Sequence, residues 1–422
     1  MSAIATASNT QVRIATIGSV DDGKSTLIGR LLHDSKGIFE DQLSAVGKAS
    51  RRYGDGSFNL ALLTDGLRAE REQGITIDVA YRYFATPKRS FVLADTPGHA
   101  QFTRNMVTGA SVSDIAIVLV DARHGVVEQT RRHVSIAALL GVSHLVLAVN
   151  KMDLVEWDET VFDTVVTDVA GILSTLGSSV PIHPIPISAT GGQNVVDRGD
   201  ETPWYEGPSV LDLLETLDIN PTATIEARLA VQWTLRQHGG SDYRGYAGRL
   251  EGGAIRVGDA VTVHPQGYSS TVIGLTRAGA PTDIAVPGDA IAIELADDLD
   301  VGKGNVIVVN GVHQPIDASG IVADVCWFTD TELTVGDAIV VRHASGEVNA
   351  RVASITHRLD LDTLENTPTD RLVLNDIGRV ELALASPLVV DEYMVNRAGG
   401  SAIAIDPVTN ATIGALMIRS GY

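Results

Sequence analysis

The sequence has almost no cysteine. Among its 422 residues only Cys326 is a cysteine, so no disulfide can form within the chain. So few cysteines are typical of proteins that work in a reducing compartment. The sequence also has no run of about 18 apolar residues, the length that a membrane-spanning helix needs, and residues 1–10 lack the basic start and apolar core of a secretory signal. We therefore expect a cytoplasmic protein without a membrane partner.

Basic residues are scarce as well. The chain carries 32 Lys and Arg against 52 Asp and Glu, which gives a formal net charge of −20. Proteins whose main task is to hold nucleic acid through its phosphates are basic, so we expect no nucleic-acid partner. Apolar residues make up 44% of the chain, which is ample for packed cores and excludes a largely disordered protein. At roughly 100–200 residues per domain, the length predicts two to four domains.

Residues 11–220 alternate between apolar runs and helical patterns. This alternation predicts an α/β domain with a doubly wound, mostly parallel sheet. The fifth run contains Pro184 and Pro186, which cannot donate to a ladder, so it should be an edge strand. In the segment Ile77–Phe84 apolar and polar residues alternate more, so we expect it to join the sheet as an antiparallel strand. The five predicted strands of the parallel part are Val12–Ile17, Phe91–Ala94, Ile115–Val120, Leu145–Val149 and Ile182–Ile187.

After residue 220 the helical periodicity nearly vanishes. Short Val, Ile and Leu runs such as Leu229–Leu235 are separated by Gly, Asp and Pro, a pattern typical of all-β barrels or sandwiches. We predict two β-barrel domains, at residues 221–312 and 313–422, with Asn310–Ser319 as the linker between the two series of strands. Residues 1–10 should be a flexible N-terminus.

The strongest motif is GSVDDGKS, which matches G-x-x-x-x-G-K-[ST] and lies between a predicted strand and a predicted helix. Its glycines let backbone N–H groups point at phosphates, helped by the positive end of the following helix. Lys24 would place a positive charge on the β- and γ-phosphates, and the Ser25 hydroxyl would coordinate Mg²⁺. The predicted phosphate-binding residues are Gly18, Ser19, Val20, Asp21, Asp22, Gly23, Lys24, Ser25, Thr26, Asp95 and Gly98.

A second motif, DTPGH, follows the predicted strand Phe91–Ala94. The Asp95 carboxylate lies where a magnesium ligand belongs in a phosphate-loop protein. Gly98 has no side chain, so its N–H can approach the γ-phosphate closely. We therefore predict that Asp95 holds the metal together with Ser25.

A third motif reads the base. The side chains of Asn150, Lys151 and Asp153 follow the predicted strand Leu145–Val149. The Asp153 carboxylate can accept from the N1–H and the 2-amino group of guanine, and adenine has no donor at either place, so the site should reject adenine. A backbone N–H at Ser188 or Ala189 would donate to the guanine O6. These motifs predict a GTPase, not an ATPase.

The connection between Thr26 and Thr76 is long for a compact domain, and long connections are usually functional or disordered. Amphipathic patterns at Glu40–Arg51 and Asn59–Arg71 predict helices inside it. It ends in the segment REQGITI, whose Thr76 hydroxyl would complete the Mg²⁺ shell while the γ-phosphate is present. We therefore predict that Thr76 belongs to a switch loop.

Longer strings around these motifs resemble a known family. GSVDDGKSTLIGRLLHDSKGIFEDQL, DGLRAEREQGITIDVAYRYF and DTPGHAQFTRNMVTGAS are similar to the translation-factor class of GTPases, in which two β-barrels follow the GTP-binding domain. Within this class the chain resembles the large, GTPase subunits of bacterial sulfate adenylyltransferases. The resemblance covers nearly the whole chain and includes YRGYAGRLEGGAIRVGDAV in the first predicted barrel.

The resemblance implies roles for individual residues. His99 matches the position that orients the attacking water, as a base or only as an orienter, and acts together with Lys24 and Gly98 as the catalytic set. Val20 and Ile75 match the apolar pair that gates access to this histidine. Asp21 matches the family's phosphate-loop aspartate. Elongation factors commonly have His or Ser at the next position, whereas Asp22 matches the sulfate-activating subunits.

The resemblance also implies a function. A separate small subunit would catalyse attack of sulfate on the α-phosphate of ATP, giving adenosine 5′-phosphosulfate and pyrophosphate in sulfate assimilation. This step is uphill, and GTP hydrolysis on the present chain, with Mg²⁺, would drive it. No second G-x-x-x-x-G-K-[ST] follows residue 320, so we expect no appended kinase domain. A higher oligomer is compatible with this organisation.

Two alternatives stay open at this point. The same domains would serve an elongation-factor-like GTPase that delivers aminoacyl-tRNA to the ribosome, although basic residues are few. A GTP-regulated scaffold without linked chemistry is the other alternative. Stimulation of the GTPase by ribosomes, or by an adenylyltransferase subunit, would discriminate between them.

Overall fold

A computed structural model describes residues 11–35, 76–219, 225–236, 243–361 and 363–422. The predicted N-terminal segment 1–10, the two helical patterns before Arg71 and the gate residue Ile75 lie outside the described residues. The chain forms two compact units. The first runs to Ile219 and includes Leu361–Glu365, and the second comprises the remaining residues.

A six-stranded sheet forms the centre of the first unit, in the order β2-β3-β1-β4-β5-β6. Only β2 is antiparallel to its neighbour, and β6 lies at the edge, so the predicted doubly wound sheet is confirmed. The predicted antiparallel strand starts later than expected, at Ala80. The strands are β1 Gln11–Gly18, β2 Ala80–Ala85, β3 Ser90–Asp95, β4 Ile115–Asp121, β5 His144–Asn150 and β6 Ile182–Pro186.

Apolar burial explains why these segments are central strands. In the register of β1, Ile14 lies beside Leu93 on one side and Ile115 on the other, and all three are fully buried. All of β4 is buried, as a parallel strand covered on both faces requires. Fully burying one such side chain contributes about 1.5–3 kcal/mol.

Helices cover this sheet. Helix α1 buries Leu27, Ile28, Leu31 and Leu32 in the core that also contains residues of β1 and β3. The described helices of this unit are α1 Lys24–Asp34, α2 Thr103–Ser111, α3 Glu128–Leu139, α4 Glu159–Thr175 and α5 Val210–Thr216. Because β1, β3, β4, β5 and β6 are parallel, their carboxyl ends meet at one edge, which is where ligands bind in such sheets.

The first barrel of the second unit closes from six strands, in the order β11-β16-β7-β9-β15-β12 with β12 paired back to β11. The apolar run Leu229–Leu235 is divided between two strands, β7 and β8. Leu229 of β7 pairs with Leu250 of β9, whereas Trp233 of β8 pairs with Ala247 of β9. The register to β9 therefore shifts by one residue, and this bulge separates β7 from β8. The strands are β7 Arg228–Ala230, β8 Trp233–Arg236, β9 Arg244–Glu251, β10 Ile255–Arg256, β11 Ala260–His264, β12 Tyr268–Arg277, β13 Ala280–Thr282, β14 Ile284–Ala285, β15 Ala290–Leu295 and β16 Val306–Val309.

The second barrel also closes from six strands, in the order β19-β24-β25-β17-β23-β20 with β20 paired to β19. The predicted linker is wrong after Pro315, because β17 already begins at Ile316. Ala318 is buried between exposed Asp317 and Ser319, so the alternation of a strand is present under a polar composition. The elements are β17 Ile316–Trp327, β18 Leu333–Thr334, β19 Ala338–His343, β20 Gly346–Leu359, β21 Asn366–Thr367, β22 Arg371–Leu372, β23 Ile377–Val390, α6 Arg397–Gly400, β24 Ser401–Ile405 and β25 Thr412–Gly421.

A buried ion pair joins the two barrels. Arg228 Nη2 of β7 lies 3.0 Å from Asp391 Oδ1, just after β23, and both side chains are more than nine-tenths buried. Arg228 also donates to the backbone oxygens of Glu226 and His313. Separately, no helix in the described part of the chain is long and apolar enough to cross a membrane.

Candidate nucleotide-binding site

The phosphate loop connects β1 to α1. Gly23 has φ +96°, and a Cβ there would lie 2.4 Å from Asn150 Nδ2, so both conformation and space require glycine. The next residue, Lys24, begins the helix. The N–H groups of the first helical turn have no partner within the helix and are available to an anion.

Lys24 is a buried cation in this loop. Its side chain is 7% exposed, and Nζ donates to Gly18 O at 2.9 Å and to Ser19 O at 2.7 Å. Burial lowers the pKa of Lys24, while the carboxylates of Asp95, Asp22 and Asp21 act to raise it. A buried ammonium is stable only beside negative charge, so this position suits a bound phosphate.

The predicted magnesium ligands lie next to each other. Asp95 is the last residue of β3 and is buried, and Ser25 Oγ donates to Asp95 Oδ2 at 3.2 Å. A hydroxyl and a carboxylate are hard oxygen donors of the kind that Mg²⁺ prefers, usually together with phosphate oxygens and water. Among the described residues no group of three or more His, Cys, Asp and Glu could hold a metal without such help. The donor set therefore fits Mg²⁺ held between protein and nucleotide.

Gly98 brings the segment after β3 against the phosphate loop. A Cβ on Gly98 would lie 2.6 Å from Lys24 Nζ and 2.7 Å from Gly18 O, so no side chain fits. The next residue, His99, is half-buried, and its Nδ1 is buried without a hydrogen-bond partner in the described residues. A buried ring nitrogen without a partner next to the loop is suited to a water or ligand.

Asn150 ties the guanine motif to the phosphate loop. Its Nδ2 donates to Asp22 O at 2.7 Å, and its Oδ1 accepts from Ala189 N at 2.9 Å. Ser188 Oγ in turn accepts from Gly191 N at 3.1 Å. In the structure the Ala189 N–H therefore points at Asn150, and its donation to a guanine O6 stays a prediction that requires sharing this bond.

Asp153 is exposed in the first turn of the 3₁₀ helix Met152–Val155. The neighbouring Lys151 has φ +63°, and its Nζ donates to Asp21 O at 2.5 Å and to Asp121 Oδ2 at 2.8 Å. The structure thus brings the phosphate and guanine motifs together, with Asp153 accessible to a ligand.

Comparison with known proteins identifies the family of the chain. The model of the elongation factor Tu GTP binding domain matches residues 9–222, and that of the GTP-eEF1A C-terminal domain-like family matches residues 320–419. Proteins named sulfate adenylyltransferase subunit 1 from Aliarcobacter butzleri and Laribacter hongkongensis are 47% and 46% identical over 97% of this chain, which spans 87% and 85% of their lengths. The chain belongs to this family. A Mycobacterium tuberculosis protein named bifunctional enzyme CysN/CysC is 50% identical over 97% of the chain, which spans 67% of its length.

Membership of the sulfate adenylyltransferase subunit 1 family confirms the resemblance found in the sequence. The remaining predicted residues are placed as follows. Val20 is 37% exposed in the loop, Asp21 is exposed with φ +64°, and Thr26 is half-buried in α1. Thr76 is half-buried. Its metal contact stays a prediction.

Asp121, the last residue of β4, also contacts the site residues, although its sequence context did not predict this. Its carboxylate accepts from Arg123 Nη2 at 2.6 Å and from Lys151 Nζ at 2.8 Å. Burial acts to raise the pKa of Asp121, but the bonds from Arg123 and Lys151 outweigh it and hold the pKa far below its usual range. The sequence did contain one signal for Asp121, because it follows directly after the predicted strand Ile115–Val120. Its position is therefore at the same edge of the sheet as the motif residues.

We expect Asp121→Asn to lower the thermal midpoint of the chain at pH 7 by about 2–6 °C, because charged hydrogen bonds to Lys151 and Arg123 are weakened. A depressed pKa stabilises the fold above about pH 4, the usual pKa of Asp, and this contribution fades as the pH falls further. Thermal scans should therefore show a smaller difference at pH 3. The control is Asp168→Asn, because Asp168 is an exposed residue of α4. Equal midpoints at pH 7 would contradict the assignment.

Proposed function

We propose that this chain is the GTPase subunit of a heteromeric sulfate adenylyltransferase. Its hydrolysis of GTP drives the formation of adenosine 5′-phosphosulfate and pyrophosphate from ATP and sulfate on a partner small subunit. The observation that carries the proposal is the 47% identity, over 97% of the chain, to a protein named sulfate adenylyltransferase subunit 1. The assembled phosphate and guanine motifs support the choice of GTP. A cytoplasmic location belongs to the same proposal.

Binding of the triphosphate is the task of the loop and its lysine. Backbone N–H groups at the start of α1 and the Lys24 ammonium neutralise the phosphate oxygens. Ser25 and Asp95, with Thr76, hold Mg²⁺, which when bound withdraws charge from the phosphate oxygens. Gly98 lies against Lys24 and is therefore placed to respond to an occupied loop.

His99 orients the attacking water. Its half-buried ring follows Gly98 directly, so movement of this segment moves the ring. By the family resemblance, Val20 of the phosphate loop and Ile75 control access of the ring to the site. The chain of contacts from loop to Gly98 to His99 explains how partner binding could switch turnover without a new catalytic group.

ATP chemistry belongs to the partner. The motif G-x-x-x-x-G-K-[ST] occurs once in this sequence, and it is used by the guanine nucleotide site. Energy from GTP must therefore reach the small subunit through a change in structure, and the switch segments around Thr76 and His99 are the candidates for that change. The test is reconstitution of the chain with its small subunit. We expect GTP to increase adenosine 5′-phosphosulfate formation, and no increase would overturn the proposal.

We expect His99→Ala to keep GTP affinity within about threefold and to lose at least about 100-fold in GTP turnover in the presence of the partner, because general acid–base and positioning contributions are of this size. Single-turnover hydrolysis measures this directly. The control is His33→Ala, which removes an exposed histidine near the end of α1 in the same unit. Unchanged turnover in His99→Ala would remove its assigned role.

Delivery of aminoacyl-tRNA is the weaker alternative. The matching GTP-binding model carries the name of elongation factor Tu, but the relatives that cover most of the chain are named for sulfate adenylyltransferase. The net charge of −20 also disfavours an RNA surface. Stimulation of GTP turnover by ribosomes, with none by the small subunit, would favour this alternative.

A further inference from the structure

One carboxylate inside the phosphate loop, that of Asp22, belongs to a predicted phosphate-binding residue although its charge is of the same sign as the phosphates. The side chain of Asp22 is turned back into the loop, and the residue is only 6% exposed. Its Oδ2 accepts from Ser19 N at 2.6 Å, which closes the turn between these residues. Asp22 Oδ2 also lies 3.3 Å from the place where a Cβ on Gly18 would be. The carboxylate therefore braces the loop from within.

The backbone of the same residue connects the loop to the base-binding motif. Asp22 O accepts from Asn150 Nδ2 at 2.7 Å, and Asn150 Oδ1 accepts from Ala189 N. Asp22 is thus fixed from two sides, through its side chain by Ser19 and through its backbone by Asn150. Both hydrogen bonds hold the carboxylate inside the loop.

The charges around Asp22 do not cancel it fully. Burial is the largest influence and raises the pKa of Asp22, Lys24 and Lys151 lower it, and Asp121 raises it. Lys24 is shared with Asp95 and Asp21 and is also the cation that the phosphates need. Lys151 is bonded to Asp121. Among the described residues, both cations that act on Asp22 are therefore also engaged by another carboxylate.

A negative charge in the wall of a phosphate site has a predictable effect. Backbone N–H groups and Lys24 attract the phosphates, whereas a fixed, buried carboxylate repels them, and buried charges are little screened by salt. The Ser19 N–H is moreover directed to Asp22 and not into the loop. The carboxylate gives the loop its shape and at the same time weakens its hold on the nucleotide.

We propose that Asp22 is a positioning residue whose charge limits the affinity for guanine nucleotides, so that GDP leaves the site rapidly without a separate exchange protein. This inference deepens the proposed function and rests on the GTP binding stated there. In this inference the hydrogen bond with Ser19 stabilises the shape of the loop, and the negative charge causes the rapid release of GDP.

The test separates the effect of the negative charge of Asp22 from the effect of its hydrogen bond to Ser19. Asp22→Asn and Asp22→Ser both remove the charge and leave an acceptor, and either variant suffices if the other fails to fold. Asp22→Ala removes charge and acceptor together. Asp168→Asn on α4 changes the net charge equally, far from any motif in sequence and exposed to solvent. Release of a fluorescent GDP analogue is followed by stopped flow, on the full chain.

We expect Asp22→Asn to release GDP about tenfold more slowly than the wild type and to bind it correspondingly more tightly. Asp22→Ala should release GDP faster than Asp22→Asn, because the loop loses its brace. A purely structural role predicts the opposite sign, namely weaker binding in every variant. Release from Asp22→Asn that is as fast as from the wild type, or faster, overturns the inference.

The two proposals fail differently. If the wild type binds GDP and GTP but Asp22→Asn behaves like the wild type, only the role of Asp22 is wrong. If the wild type binds no guanine nucleotide, the GTPase proposal is wrong, and this inference falls with it.

Discussion

Lys24→Ala is expected to lower the affinity for GTP by about 100- to 1,000-fold, because removing one partner of a buried, hydrogen-bonded charge pair is among the largest effects of a single substitution. Lys24 is the buried cation of the loop, held at Gly18 O and Ser19 O. Its removal also leaves the buried carboxylates of Asp95 and Asp22 without this cation, so the thermal midpoint of the variant is measured beside its affinity to show that it is folded.

Titration calorimetry with GTP and GDP on Lys24→Ala measures this loss. The matched control is Lys88→Ala in the same unit, where the ammonium is 61% exposed and paired with Glu215. We expect the control to bind GTP like the wild type. Binding by Lys24→Ala within threefold of the wild type would show that the loop does not hold the phosphates.

Asp153→Asn is expected to change which base is bound. We predict that the exposed carboxylate accepts from two donors of guanine, whereas an asparagine amide oxygen would accept only from N1–H. Its NH₂ group would instead donate to the carbonyl that xanthine carries at C2. We expect GTP affinity to fall about 100-fold, and xanthosine triphosphate to bind more tightly than GTP.

Competition between GTP, xanthosine triphosphate and ATP for a fluorescent nucleotide measures the change of base. Asp168→Asn has the same change of charge and should keep the preference of the wild type. A variant at position 153 that still prefers GTP by the original factor would show that this carboxylate does not read the base.

Local patterns were enough to predict the first unit. The uninterrupted apolar runs of β1, β4 and β5 can be stable only inside a covered parallel sheet, and the motif residues follow directly after their ends. Once strands are parallel, their carboxyl ends meet at one edge, so Lys24, Asp95 and Asn150 had to come together. The order of residues along each strand is therefore enough to predict that these three residues lie close together.

Contacts that depend on the order of strands could not be predicted in this way. Asp121 meets Lys151 because β4 lies beside β5, with Asp121 in register with Asn150. The pairing of Arg228 with Asp391 likewise requires the arrangement of two barrels. In neither case does the local sequence around one residue contain its partner.

The ends of strands in the barrels could not be predicted for a related reason. The bulge between β7 and β8 is a property of their register with β9, and nothing in the apolar run Leu229–Leu235 marks it. At the start of β17, Asp317 and Ser319 point outward, so a polar composition concealed a strand that pairs with β23. Domain bounds at residues 220 and 312 stay predictions.

The account depends most on the choice of purine by this site. Calorimetric titration of the wild-type chain with GTP and with ATP, each with Mg²⁺, tests it in one experiment. We expect GTP to bind at least about 100-fold more tightly than ATP, because adenine leaves the Asp153 carboxylate without donors. Equal affinities, or no binding of GTP, would contradict the account.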